Sequence, residues 1–437
     1  MKLTNYVRND FGKCDLPRNT IEKIKDGFRK LNLRVDYAPY KVSDNIYWGQ
    51  IWIDSIQIVC NGKGMTPELA EASAHAELAE RFSAGLFYAV FEERVRFNIP
   101  ALYDRETSGF LNHEWMDGYV HAHQDELEGD ILPIESLLAN EHHLTEKDIA
   151  SIKSSKMAGH WVNGFSILRE KTVKVPINFV NYIHASNGLA AGNTLEEAMI
   201  QASCEIFERH VQIHIIKPEK TVPTIDPNSV DHVGIQKMIQ YYQGKNVDVL
   251  IKDLSMGGVF PCIGVLFINH NLSPGRLEHK ILIPGACFHL DEALTRCFTE
   301  SMQGRETLAV PRPQLDKPVV HRSRVNNFYL LMKCCISPKD ISFLEKGEMT
   351  TYRNLKSQDI FGEIEQIKSI CRQLNTDCIL MNHTHPVLNF PVVRVIIPGV
   401  SDFLPFLSPD ILTSEETNPS AAWRGERFRN IMQSFFL

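Results

Sequence analysis

The sequence predicts a mixed α/β protein in which helices pack on sheets in layers, and three observations predict it. Short β-branched and apolar runs alternate with helical patterns along most of the 437 residues. One unit recurs three times, near residues 51–90, 173–212 and 280–307: a strand, a glycine or small-residue loop, and a helix with a polar stripe. No plain linker or low-complexity tract divides the chain. Residues 1–407 therefore read as one interlocked unit, followed by a polar, partly helical tail over 408–437.

The totals exclude several classes of function. A net charge of −7 gives no electrostatic case for nucleic acid. No run approaches the roughly 18 apolar residues of a membrane span. The first 18 residues lack the apolar core of a signal peptide. The ten cysteines include no CxxC pair, which argues against a disulfide framework or a zinc site and for the reducing cytoplasm.

Taken in order, Ile21, Ile24, Phe28 and Leu31 share one face and predict a helix over 20–32, with Thr20 as its cap and Lys13 in the loop before it. Residues 51–60 read as one strand, then Asn61-Gly62-Lys63-Gly64 as a glycine loop. Thr66 and Pro67 open a helix to about Val90. Residues 91–160 are less regular; His113, His121, His123, His142 and His143 show no recognisable ligand spacing. A strand is predicted over 172–183, interrupted by Pro176, and leads into Ser186-Asn187-Gly188 and Gly192-Asn193-Thr194 before a long helix. A helix over 230–242 and strands over 247–252, 263–269 and 280–284 follow, then a helix running to Thr307. Residues 308–375 read as a connecting region with charged helical pieces. Strands over 377–381 and 392–397 and a helix over 423–436 complete the pattern.

The repeat is more specific than any single element. An offset of 128 residues aligns Gly64 with Gly192, Thr66 with Thr194, Ala70 with Ala198 and Ser73 with Gln201. The same offset aligns Glu77, Glu80 and Arg81 with Glu205, Glu208 and Arg209. In the third copy Ala293 stands seven residues before Glu300, and Arg296, Glu300 and Gln303 take the stripe at i, i+4 and i+7.

The stripes carry five carboxylates, on Glu77, Glu80, Glu205, Glu208 and Glu300, interleaved with Arg81, Arg209, Arg296 and Gln201. One such helix is commonly a solvated face laced with ion pairs, but surface pairs have no reason to recur in register behind a loop. Carboxylates are ligands for hard cations such as Mg2+, while arginine forks and helix N-termini bind phosphate oxygens. These are the parts of a site for a nucleoside triphosphate held through metal ions. Glutamates alone would repel the phosphates, so the charges themselves require the metal.

On these residues the chain resembles the YcaO family, from about Gly12 to Pro405. The family motifs are met by Ser73, Glu77, Glu80 and Arg81; by Gln201, Glu205, Glu208 and Arg209; and by Arg296, Glu300, Gln303 and Arg305. Asn61-Gly62-Lys63-Gly64 and Ile397-Pro398-Gly399 look closest to stand-alone members that serve as accessory factors for methylthiolation of a small-subunit ribosomal protein.

The resemblance implies a YcaO-like fold and an ATP- and Mg2+-dependent enzyme acting on backbone amides of a peptide or protein. In that family a nucleophile adds to the amide carbon, and the oxyanion is phosphorylated by ATP and expelled. A side-chain nucleophile gives an azoline, and external sulfide gives a thioamide. By motif position, Lys13, Thr20, Ser73, Arg81, Asn193, Glu197, Gln201, Arg209 and Arg296 would serve the nucleotide. Glu77, Glu80, Glu205, Glu208 and Glu300 would hold Mg2+. Thr20 and Ala190 stand where relatives carry serine. The chain ends Phe435-Phe436-Leu437, without the proline-rich tail usual in azoline-forming members. Thioamide formation or another sulfur-related modification is therefore expected first, with azoline formation or a non-catalytic accessory scaffold as alternatives. A sulfur donor or a methylthiotransferase is the expected partner, and a homodimer the expected assembly.

Overall fold

The structure, a computed structural model, describes residues 3–9, 12–54, 58–84, 127–137, 146, 150, 161–184, 186–216, 218–274, 279–301, 341–354, 357 and 359–401. The expectations for 91–126, for His142 and His143, and for the tail lie outside them, as do Gln303 and Arg305.

Three sheets carry the described chain. The first is an antiparallel meander of β1 (Asp36–Ser43), β2 (Ile46–Ile53) and β3 (Ile58–Gly64). A second sheet joins β8 (Thr224–Ile225), β9 (Val247–Asp253), β10 (Cys262–Asn269), β11 (Lys280–Ala286) and β12 (Met349–Thr350), in the order β11-β10-β9-β8-β12. A third has the order β4-β6-β5-β13-β14-β7, from β4 (Asp130–Ile131), β5 (Trp161–Ser166), β6 (Lys171–Pro176), β7 (Leu189–Ala191), β13 (Ile379–Asn382) and β14 (Val392–Ile396).

Each copy of the repeat belongs to a different sheet. Its strand is the terminal strand there: β3, β7 and β11. Each runs into its own helix: α2 (Pro67–Ser83), α4 (Leu195–Ile216) and α6 (Leu290–Glu300). The helices lie so close to the strands that a side chain cannot come between them. A Cβ on Gly64 would sit 2.7 Å from the Ala70 amide nitrogen, and one on Gly192 would sit 2.6 Å from that of Ala198. One on Gly285 would sit 2.5 Å from the Ala293 carbonyl oxygen. Glycine on the strand and alanine on the helix are the local condition for this approach.

The middle helix is the hub. α4 packs on β14 and β7 of the third sheet and on β11 and β10 of the second. Ala198, Ala202, Ile206, Phe207, Val211 and Ile215 bury its apolar faces in the largest core cluster. α2 lies on the first sheet and also touches β7 and β14, while α6 lies on the second sheet and reaches β2 and β3. α1 (Pro17–Lys30) covers α2, and α7 (Ile360–Gln373) covers α4. α3 (Ile177–His184) and α5 (Val233–Gln243) complete the α-helices among the described residues.

Several expectations are corrected. The stretch 51–60 is not one strand: β2 and β3 fold back on each other with Ile53 opposite Ile58, and the turn-forming Asp54 ends β2. The strand expected over 172–183 stops at Pro176, which has no N–H to extend a ladder. Ile177, Val180 and His184 then share a helical face, all buried. Thr20 is not a cap: α1 begins at Pro17 behind Leu16, leaving Thr20 in its first turn. The helix expected from Val230 starts at Val233, where the His232 ring accepts from the Ile235 amide at 3.2 Å. β1, β4, β5, β8 and β12 are not among the expected strands.

Candidate functional site

Side-chain oxygens of Thr66 and Thr194 cap α2 and α4, accepting from the amides of Leu69 at 3.2 Å and Glu197 at 3.1 Å. The third copy differs, since His289 precedes α6 with no side-chain cap. Beyond the caps the stripes behave alike. Ser73, Glu77, Glu80, Arg81, Gln201, Glu205, Glu208, Arg209, Arg296 and Glu300 are all half-buried, between fully buried apolar neighbours.

The three stripes meet. Arg296 on α6 donates to the side-chain amide oxygen of Gln201 on α4 at 2.9 Å. Glu205 and Arg209 of α4 act electrostatically on Glu80 of α2. Arg296 and Lys63 act on Glu208. Within the stripes, Arg81 lies 3.2 Å from Glu80 and 4.0 Å from Glu77, and Arg209 lies 2.7 Å from Glu205.

The opening residues close one side. Thr20 Oγ1 donates to Asn193 Oδ1 at 2.7 Å, and Asn193 donates to Glu197 at 3.3 Å. Glu197 also accepts from the Cys14 amide at 2.8 Å, and Glu196 accepts from the Thr4 amide at 2.6 Å. Lys13 lies 3.3 Å from Glu292 on α6 and feels Glu197 as well. Arg8 makes a two-pronged pair with Glu363 of α7, at 2.7 and 2.5 Å.

The predicted residues thus fall into two linked groups: the carboxylates of α2, α4 and α6 with their arginines, and Lys13, Thr20, Asn193 and Glu197 beside them. Ser73 lies on α2 one turn before Glu77. Lys63, Glu292, Arg8 and Glu363 were missed. For Glu292 the signal was available, since in the repeat frame it precedes Ala293 as Glu197 precedes Ala198. For Arg8 and Glu363, 355 residues apart, there was none.

The electrostatics favour a further cation. Burial pushes the Glu80 carboxyl up to about 8, helped by Glu205 and Glu77 and opposed by Arg81. Burial also raises Glu208, against the pull of Arg296 and Arg209. These all-oxygen donors suit Mg2+. Among the described residues no three His, Cys, Asp or Glu side chains form a ready-made metal cage. Mg2+ ions each held by one or two of the five carboxylates and completed by polyphosphate oxygens and water, the usual habit of Mg2+, would fit this set. Cys204, beside Glu205, is core packing: burial pushes its thiol up to about 12, so it is no thiolate at neutral pH.

Fold and site together define an ATP- and Mg2+-binding class. The family described as YcaO cyclodehydratase, ATP- and Mg2+-binding, matches residues 61–401, and the chain belongs to the YcaO family. Among similar proteins is the ribosomal protein S12 methylthiotransferase accessory factor YcaO of Escherichia coli K12, 26% identical over 97% of this chain and 72% of its own length. An uncharacterized protein of Haemophilus influenzae is 25% identical over 85% of this chain, which spans 61% of that relative. A heterocyclase in complex with substrate and cofactor shares the fold with a TM-score of 0.63 at 18% identity, over 92% of this chain and 54% of its own. YcaO from Methanopyrus kandleri, bound with AMPPCP and Mg2+, aligns with a TM-score of 0.58 at 17% identity, over 91% of this chain and 95% of its own. No described helix is long and apolar enough to cross a membrane.

Proposed function

We propose that this chain uses ATP and Mg2+ to activate a backbone amide of a peptide or protein, for thioamide formation or a related sulfur modification. The observation that carries the reading is the meeting of three acidic stripes from three sheets, α6 joined to α4 by the Arg296–Gln201 hydrogen bond and α2 to α4 by the charges of Glu205 and Arg209 on Glu80. Membership of an ATP- and Mg2+-binding family supports it. An amide oxygen is a poor leaving group, and ATP supplies the phosphoryl group that makes it a good one.

In this reading Glu77, Glu80, Glu205, Glu208 and Glu300 hold Mg2+. Arg81, Arg209, Arg296 and Lys13 neutralise phosphate charge. Thr20, Ser73, Asn193, Glu197 and Gln201 orient the nucleotide. The working place is the cytoplasm and the assembly a homodimer. The E. coli relative's printed role favours one second reading: a nucleotide-bound scaffold that presents a protein to a methylthiotransferase.

The test is comparative peptide mass spectrometry of cells making the wild type or Glu205→Gln. Exchange of one oxygen for sulfur in a peptide, present only with the wild type, supports the proposal. Loss of water instead would select azoline formation. The same products with Glu205→Gln would contradict an enzymatic role for the site.

A further inference from the structure

In the first two copies of the repeat, the leading glutamate has an arginine of its own helix four residues on, Arg81 after Glu77 and Arg209 after Glu205. In the third copy that position, four residues after Glu300, is Gly304, which offers no charge. A cation from another copy of the repeat reaches Glu300. Lys63 stands on β3, opposite Trp48 of β2, and its ammonium group contacts the Glu300 carboxylate at the end of α6. Its charge also acts on Glu208 of α4. The side chains of Lys63 and Glu300 are only 20% and 25% exposed.

We propose that Lys63 is a resident cation that positions the third stripe before metal binds and sets the metal affinity of the site. This rests on the reading of the five glutamates as the metal site. An ammonium group and a divalent ion compete for the same carboxylate oxygens, and each repels the other. Metal entry must therefore break the Lys63–Glu300 pair, which, unlike Arg81–Glu77 and Arg209–Glu205, bridges two copies of the repeat. Lys63 acts through Glu300 and is a positioning residue. Its role couples the first sheet to the third copy of the repeat: the ammonium on β3 holds α6 against the first sheet, and a metal ion takes over that duty.

The test is Mn2+ binding without nucleotide, followed by calorimetry, together with the melting temperature of the metal-free protein. Lys63→Gln is expected to bind Mn2+ about fivefold more tightly, the size of effect one partly exposed ion pair supplies. Its metal-free melting temperature falls and recovers on adding Mn2+. Lys63→Arg keeps the charge and binds Mn2+ no more tightly than the wild type. Lys25→Gln breaks a surface pair with Glu71 away from the stripes and leaves Mn2+ affinity unchanged. If the wild type binds Mn2+ and Lys63→Gln binds it equally or more weakly, or Lys63→Arg binds it more tightly, the inference is overturned and the metal reading stands. If the wild type binds no Mn2+ with or without ATP, both fall.

Discussion

Arg8 and Glu363 show what a buried charge needs. The Glu363 side chain is fully buried, and Arg8 meets it with both prongs while the His289 ring lies 3.4 Å away. Burial alone would raise the Glu363 carboxyl, yet its partners hold it below its ordinary range. Removing one partner of a buried pair leaves a charge uncompensated. Arg8→Met should therefore destabilise the protein by about 3 kcal/mol, read from urea denaturation. A loss under about 0.5 kcal/mol would mean that the pair is dispensable. The stripe glutamates follow the same logic with a different answer, because Arg81 and Arg209 meet only part of their charge and Glu80 remains raised to about 8.

At the scale of elements, the repeat was legible because it is a condition on side chains the sequence spells out. Glycine on the strand, threonine at the cap, alanine in the first turn and glutamate on the stripe recur at one spacing, and α2 and α4 form where that spacing places them. The strand predicted over 172–183 failed beyond Pro176 for a local reason. Ile177, Val180 and Ile183 are β-branched, and their helical spacing was outweighed by β propensity. β1 was hidden because none of its residues is fully buried, so it carries no apolar alternation to read. The N-terminal ion pairs were illegible for another reason: Arg8 and Lys13 look like any loop cations until the fold brings Glu363 and Glu292 to them.

Across the whole molecule, buried histidines link stability to pH. Burial and the charge of Arg394 push His383 down to about 3, and burial pushes His385 down to about 4, both from an ordinary value of 6.5. Both rings are therefore neutral in the fold, and the unfolded chain takes up protons first as pH falls. Their contribution is fully present above about pH 6.5 and is lost progressively towards about 4 and 3. Glu80 and Glu208, raised in the fold, act in the opposite direction, so in a Glu80→Gln/Glu208→Gln background the urea midpoint should be lower at about pH 5 than at about pH 7.5; a midpoint there that rises on acidification would contradict this. In the proposed function the site draws on all three sheets, since each carries one of the three stripes. Calorimetric titration of ATP, with and without Mg2+, tests that claim most directly. Saturable binding by the wild type that requires Mg2+, and is lost in Glu80→Gln, Glu205→Gln and Glu300→Gln, one variant for each helix, is the predicted result. Mg2+-dependent binding that survives any one of these changes at full strength would contradict a site shared by the three helices.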